Sequence, residues 1–159
     1  MEQARKILLH PNFNKLTPEE MQRVYGYLLA SGITEEDIKR ILNSPFVGNI
    51  ETLTLENNNF RKVIHTTLNQ QLVVMKLNAG EDIGMEIHTH IDQFIRIEKG
   101  SGYAILDGVR VELTDGSAVL IPAGTEHNVI AITEIKLYTI YSLPNHPYDR
   151  IDVTKPEND

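Results

Sequence analysis

Apolar positions in the first third of the chain recur at the spacing of amphipathic helices. A capping box over Thr17–Glu20, with proline at the first helical position, predicts that a helix begins there, and Ser31–Gly32 predicts its end. A second helix is predicted after Thr34, because the three acidic residues that follow suit the positive end of the helix dipole. A shorter helix is predicted around Gln3–Leu9. Residues 1–48 are therefore expected to form a helical N-terminal extension.

From Ile50 onward the apolar period becomes that of β-strands. Short runs rich in Val, Ile, Leu and Thr alternate with turn residues, and Asp107–Gly108 is a two-residue hairpin signal. The predicted strands cover 51–56, 60–68, 72–77, 83–90, 93–98, 101–106, 109–113, 117–121, 126–132 and 135–142. Ten short strands without an intervening helix indicate a β-sandwich or barrel over 49–145. Residues 146–159, polar and proline-bearing, are expected to form a loosely ordered C-terminal arm.

Composition narrows the possible chemistry. The 159 residues include no cysteine, so any metal must be held by nitrogen or oxygen ligands. The net charge of −7 argues against a nucleic-acid partner, and no apolar run approaches the roughly 20 residues of a membrane span. The N-terminal apolar run is too short for a signal peptide, so a cytoplasmic location is expected.

Three of the six histidines have the spacing of metal ligands. In a strand over 83–90, His88 and His90 would point to the same side, with Cα atoms roughly 7 Å apart. Glu86 would share that face, where it could supply a carboxylate ligand or act as a general base beside a metal. His10, His65 and His146 lie outside any such spacing and are expected to be solvated or structural.

These residues lie in two motifs that resemble those of the cupin superfamily. The first motif is a leading glycine, His-x-His, a few residues, an acid, six residues and glycine; the chain has His88, His90, Gln93 and Gly100 in that order. The second motif is matched from Gly116 through the Pro-x-Gly turn at 122–124 to His127. The resemblance implies a cupin barrel, a double-stranded β-helix or jelly roll. It also implies a divalent transition metal (Fe, Mn, Ni, Co, Cu or Zn) held by His88, His90 and His127.

The chain departs from these motifs at several positions. Asp82 stands where the leading glycine is expected, and the gap after His90 is one residue shorter than usual. Gln93 replaces the usual acid, and its amide oxygen would either ligate the metal or orient a bound water. Ala131 replaces the final asparagine of the second motif. Three imidazoles and an amide would leave a more electrophilic ion than a set that includes a carboxylate.

The resemblance implies several activities that fold analogy does not separate. The first hypothesis is a metal-dependent enzyme of the dioxygenase type acting on a small organic molecule. The alternatives are a non-catalytic ligand-binding or sensory cupin and a metal-dependent sugar isomerase. A phosphosugar isomerase is disfavoured because Arg96 is expected to point outward and no inward-facing base is assured.

The helical extension has two alternative interpretations. Two helices joined by a short turn could form a DNA-reading helix-turn-helix, but residues 1–46 carry six acids and six bases and so lack a basic face. Packing on the barrel or at a dimer contact is the preferred interpretation. Because a small barrel has exposed strand edges, a homodimer is predicted.

Overall fold

The computed structural model describes residues 1–158 and begins with a helical segment. Its α-helices are α1 (Glu2–Leu8), α2 (Pro18–Ala30), α3 (Glu35–Leu42) and α4 (Ile50–Leu55), with a 3-10 turn at Phe13–Lys15. The predicted capping box at Thr17 is formed, since Thr17 accepts from the backbone N–H of Glu20. The helix predicted after Thr34 also begins with a capping box, in which Thr34 accepts from the backbone N–H of Asp37. Helices α1 to α3 and the 3-10 turn bury a core of their own, which Leu68 and Tyr148 extend, whereas α4 packs on the larger sheet.

Two antiparallel sheets form the rest of the molecule and confirm the predicted mainly β, cupin-type barrel. The strands are β1 (Arg61–Thr66), β2 (Gln71–Leu77), β3 (Asp92–Lys99), β4 (Gly102–Leu106), β5 (Val109–Leu113), β6 (Ala118–Ile121), β7 (His127–Ala131), β8 (Ile135–Ser142) and β9 (Ile151–Asp152). Their order is β6-β3-β8-β2-β1-β9 in one sheet and β5-β4-β7 in the other. Alternate residues of the two sheets, among them Val73, Ile95 and Val129, meet in one buried core.

Two close backbone approaches explain glycines at the start of β4. A Cβ atom on Gly100 would lie 2.1 Å from the carbonyl oxygen of Glu134, and Gly100 also has a φ of 111°. A Cβ atom on Gly102 would lie 2.1 Å from the carbonyl oxygen of Ile130. Neither distance leaves room for a side chain. Glycine at 100 lets the chain pass the backbone that leads into β8, and glycine at 102 lets β4 lie close against its sheet neighbour β7.

The predicted strand at 51–56 is wrong, because this segment is helix α4. The side chain of Asn49 caps the helix by accepting from the backbone N–H of Thr52, and the hydroxyl of Thr54 donates to the carbonyl of Ile50. At the other end, the ammonium of Lys136 donates to the carbonyl of Asn57. The pKa of Lys136 is lowered, chiefly because it is buried. Caps and packing on the sheet therefore outweigh the β propensity of Ile and Thr.

The C-terminal segment has more contacts than the loose arm that the sequence predicts. Its strand β9 pairs with β1, and Asp152 accepts a hydrogen bond of 2.7 Å from the buried guanidinium of Arg61. Burial would raise the pKa of Asp152, but hydrogen bonds from Arg150 and Arg61 lower it below its usual value of 3.8. The hydroxyl of Tyr148 donates to Glu2 of α1, and burial first, then this bond, raise the pKa of Tyr148 to about 12.

Across residues 1–158, none of the helices combines the length and the apolar character needed to span a membrane.

Candidate metal centre

His127 is the most deeply buried of the predicted site residues. It begins β7, directly after the turn at Pro122–Gly124, and its side chain is 1% exposed. Its Nδ1 lies 2.8 Å from the carbonyl oxygen of Thr125. A carbonyl oxygen only accepts, so we assign the ring proton to Nδ1, which leaves the lone pair of Nε2 facing the barrel interior. A hydrogen bond of this kind is how proteins usually orient a histidine that binds a metal.

The segment before β3 runs alongside β7 without forming a regular strand. It makes isolated bridges, Asp82 with Ile130 and Glu86 with His127. The backbone N–H of Glu86 donates to the carbonyl of His127, and that of His127 donates to the carbonyl of Glu86, both at 2.8 Å. Farther along, the N–H of Gly124 donates to the carbonyl of His88 at 2.7 Å. These bonds place Glu86 directly opposite His127, so their side chains share one face of the sheet.

Glu86, His88 and His127 bring three metal-binding atoms together. One ligand atom from each lies within 4.8 Å of those of the other two. The Oε2 atom of Glu86 is 3.1 Å from Nε2 of His88 and 3.9 Å from Nε2 of His127. These separations fit one ion, since imidazole nitrogens and carboxylate oxygens bind transition metals at about 2.0–2.2 Å.

Gln93 adds an amide to this group. The side chain lies inside the barrel at the start of β3, where the residue is 2% exposed. Its Oε1 is 3.0 Å from Nε2 of His127, and its Nε2 donates to the hydroxyl of Thr139 at 3.0 Å. With the ring proton on Nδ1, the His127 nitrogen and the amide oxygen face each other as two acceptors, a pair that a shared cation would satisfy. The donor set therefore fits a divalent metal.

The structure does not bring His90 into the group. His90 is exposed, whereas His88 is half-buried. The prediction that both rings share a face assumed a regular strand through residue 90, but the bridges with β7 end at Glu86. Beyond that point the alternation of a strand no longer fixes where a side chain points. Ligation by His90 thus rests on the sequence motif alone, and the ligand set proposed below omits it.

A count along the sequence could have suggested this arrangement. When the first motif is taken to begin at Gly80 instead of Asp82, five residues separate the glycine from Glu86. Glu86 and His88 then occupy the two histidine positions, and four residues separate His88 from Gln93. Both spacing departures disappear in this alignment. The carboxylate of the group then comes from the first histidine position instead of the usual acid position.

Aromatic and apolar side chains surround the group. Tyr141, which is opposite Gln93 across the sheet, meets the ring of His88 edge-on at 6.1 Å between centroids. On its other side Tyr141 meets His146 edge-on at 5.3 Å. Leu106 is opposite His127, and Ile121 is opposite Gln93. Thr139 and Thr125 were not singled out from the sequence, and His146 was expected to be solvated or structural, because only their contacts reveal that they lie near the site.

Two basic side chains of the barrel strands, those of Arg61 and Lys76, have acidic partners outside this group. Arg61 is buried and shares the inward face of Met75, but it is bonded to Asp152 of β9. Met75, which is opposite Arg61, lies four residues along β2 from Gln71, and Gln71 is level with Gln93 in the sheet. Lys76 points to the outer face, where its ammonium lies 3.7 Å from the carboxylate of Glu134.

In comparison with known protein families, residues 73–141 match the family described as the cupin domain. The chain is 41% identical over 151 residues to the uncharacterized protein YrkC of Bacillus subtilis, covering 88% of this chain and 81% of that one. It is 44% identical over 122 residues to the uncharacterized protein L612 of Acanthamoeba polyphaga mimivirus, covering 73% of this chain and 76% of that one.

A solved structure gives a similar result. The crystal structure of BH2720 from Bacillus halodurans superposes with a TM-score of 0.67 at 42% sequence identity. The match covers 69% of this chain and 89% of that one.

Proposed function

Because this chain belongs to the cupin superfamily, we propose that it is a metal-dependent enzyme of the dioxygenase type that acts on a small organic molecule. The proposed ligands are Glu86, His88 and His127, with Gln93 beside them. The observation that carries the proposal is the convergence of two imidazole nitrogens and one carboxylate oxygen within 4.8 Å. Two histidines and a carboxylate, with other coordination positions left open, are the donor set typical of non-haem Fe(II) oxygenases.

When bound, such an ion supplies open positions at which substrate and O₂ can be brought together. The protein residues have separate tasks around it. The Thr125 carbonyl holds the ring of His127 in one orientation, and Thr139 holds the amide of Gln93. Glu86 supplies the single negative charge of the set, which offsets part of the charge of a divalent ion. This differs from the electrophilic set of three imidazoles and an amide that the sequence suggested.

The exposure of the ligands gives the direction of approach. The side chain of His127 is 1% exposed, whereas those of His88 and Glu86 are 14% and 28% exposed. A substrate therefore reaches the group from the side of Glu86 and His88. The neighbouring Leu106, Ile121 and Tyr141 offer apolar contacts, and the buried Arg61 already binds Asp152. The site suits an uncharged or weakly charged molecule better than a phosphosugar.

Metal binding is tested first. Purified protein would be stripped, titrated anaerobically with Fe(II) and analysed for bound metal. We expect one ion per chain in the wild type and a strong loss of affinity in Glu86→Gln. Glu81→Gln is the matched control, because Glu81 lies five residues earlier and its carboxylate accepts from the amide of Asn78, outside the proposed ligand set. Equal affinity in the wild type and Glu86→Gln would contradict the proposed ligand set.

Catalysis is tested separately. Oxygen uptake would be measured with the Fe(II)-loaded protein on a panel of enols, phenols and other small uncharged molecules. Substrate-dependent uptake that Glu86→Gln abolishes and Glu81→Gln retains would support the proposal. Saturable binding of panel compounds without oxygen uptake or product would instead favour the non-catalytic ligand-binding alternative.

A further inference from the structure

Strand β5 is a free edge that carries its own complementary charges. Among residues 1–158 it pairs only with β4, and it ends the smaller sheet. Four of its five residues are exposed, including Val109 at 63% and Val111 at 42%. Edge strands of this kind offer unpaired backbone groups to another strand. Its sequence from Val109 to Leu113 contains no proline or lysine to blunt such pairing.

The hairpin turn determines which backbone groups of β5 remain available. Asp107 and Gly108 have φ values of 47° and 81°, as a two-residue type I′ turn requires. Such a turn joins a hydrogen-bonded pair, here Leu106 and Val109, and bonded pairs alternate along an antiparallel ladder. Val109 and Val111 therefore direct their N–H and C=O groups toward β4. Arg110 and Glu112 direct theirs toward the open edge.

The side chains of Arg110 and Glu112 are on the opposite face from the valines. They form an ion pair of 2.7 Å with each other, and both are more than half exposed. The guanidinium of Arg110 also lies over the ring of Tyr103, 3.8 Å from its centroid. A base and an acid two positions apart on an edge strand are self-complementary: in an antiparallel pair centred between them, each base meets an acid of the other copy.

We propose that β5 pairs with β5 of a second copy of this chain across a two-fold axis at Val111. In this register Arg110 of each copy is opposite Glu112 of the other. The backbone N–H and C=O groups of Arg110 then bond to those of Glu112 in the other copy, and the small sheets of the two copies join into one continuous sheet. The exposed Val109 and Val111 of both copies are brought onto one face, which removes apolar surface from water. The interface is isologous, as a two-fold dimer requires.

The other long free edge fits a second copy less well. Strand β6 ends the larger sheet and has the sequence Ala-Val-Leu-Ile, so it has no charged pair to set a register. Its exposed Leu120 nevertheless gives a useful comparison, since it is 74% exposed and would be the cross-linking position if β6 formed the contact.

Disulfide trapping tests the register directly, because the protein contains no cysteine. In Val111→Cys the two thiols would face each other in a non-hydrogen-bonded pair, with Cα atoms about 4.5 Å apart, within the range of a disulfide. In Val109→Cys the two thiols would be offset by four residues, about 13 Å along the strands. We expect most of Val111→Cys to become a covalent dimer in a glutathione redox buffer. Val109→Cys and Leu120→Cys should remain without a cross-link.

Val109→Cys also controls for random collision, since Val109 is more exposed than Val111. Equal or greater cross-linking of Val109→Cys would overturn the register. Cross-linking of Leu120→Cys alone would move the interface to β6 and overturn the proposal.

Charge reversal gives an independent measurement by analytical ultracentrifugation. The wild type should dimerise, and Arg110→Glu, which would bring four acids together, should raise the dimer dissociation constant at least tenfold. The double variant Arg110→Glu/Glu112→Arg should regain dimerisation. Arg23→Glu is the matched control, because Arg23 is an exposed arginine that pairs with Glu19 on α2. A wild type that stays monomeric, or a double variant no better than Arg110→Glu, would overturn the proposal.

Discussion

The Oε2 atom of Glu86 lies 3.1 Å from Nε2 of His88. This contact is made within a segment that has only isolated bridges to its neighbour, and it determines the composition of the candidate site. It combines a carboxylate with an imidazole where two imidazoles were predicted.

His88 and His90 are expected to differ sharply in their effect on metal binding. His88→Gln should lower Fe(II) affinity by more than tenfold, because it removes a ring nitrogen from the group. His90→Gln should leave affinity unchanged, because His90 is exposed and lies outside the group. Anaerobic titration of both variants is the measurement. A loss of metal from His90→Gln comparable to that from His88→Gln would restore the set of three histidines.

Thr139→Val should weaken the site without touching a ligand. Thr139 is fully buried, and its hydroxyl accepts from the amide of Gln93, so valine of similar shape leaves that amide without its acceptor. We expect the free energy of unfolding to fall by about 1–3 kcal/mol and metal affinity to fall by roughly tenfold. Denaturant unfolding and metal titration measure the two effects. Thr139→Ser keeps the hydroxyl and should retain the metal affinity of the wild type, although loss of the buried methyl group should lower the free energy of unfolding by about 1 kcal/mol.

Gln93→Glu should lower the stability of the metal-free protein, and bound metal should stabilise this variant more than it stabilises the wild type. Gln93 is 2% exposed, and a second carboxylate beside that of Glu86 would bury like charges at one point. A divalent ion would offset that charge when bound. Thermal unfolding with and without metal measures the difference, with the exposed Gln70→Glu as control. If the metal-free variant melts at the same temperature as the metal-free wild type, the side chains at positions 93 and 86 do not lie close enough to repel each other, which would contradict the proposed site.

Asp152→Asn should destabilise the protein at neutral pH and much less in acid. The pKa of Asp152 is lowered by its arginine partners against the effect of burial, so the ionised group stabilises the folded state above its unfolded value of 3.8. This contribution is lost as pH falls through the lowered folded pKa. We expect a cost of about 3 kcal/mol at pH 7, typical of a broken buried pair.

The measurement for Asp152→Asn is urea unfolding between pH 7 and pH 3. The control is Asp149→Asn, which makes the same charge change at an exposed position three residues earlier. A difference between Asp152→Asn and the wild type that stays constant over this range would contradict the assigned role of the carboxylate.

Local signals predicted much of the fold. The capping box at Thr17, the helix start at Thr34 and the turn at Asp107–Gly108 depend on neighbouring residues alone, and the structure contains all three. The segment 51–56 was mispredicted because Ile and Thr favour strands, whereas the cap at Asn49 and packing against the sheet decide its state. The contacts of the C-terminal segment join residues far apart in the chain, such as Arg61 and Asp152, and no local pattern reports them.

The candidate site was predictable in part for the same reason. His127 follows a turn of defined geometry, so its inward position could be predicted from the second motif. Alternation placed Glu86 on the same face as His88, where the structure has it, but it also placed His90 there, because alternation holds only while a segment stays paired. Counting from Gly80 would have placed Glu86 in the set, but only the bridge between Glu86 and His127 shows that the two side chains meet.

Asp82 connects the ligand-bearing segment to a distant part of the chain. Its carboxylate accepts from the amide of Asn128 in β7 and from the ammonium of Lys155 in the C-terminal segment. Metal binding that immobilises Glu86 and His88 would therefore also stabilise the contact between Asp82 and Lys155, so the C-terminal segment would leave the barrel less often. By thermodynamic reciprocity, cutting the chain before Lys155 would weaken the hold on the ion by the same factor. Protease sensitivity of this region would then report on metal occupancy without any assay of turnover.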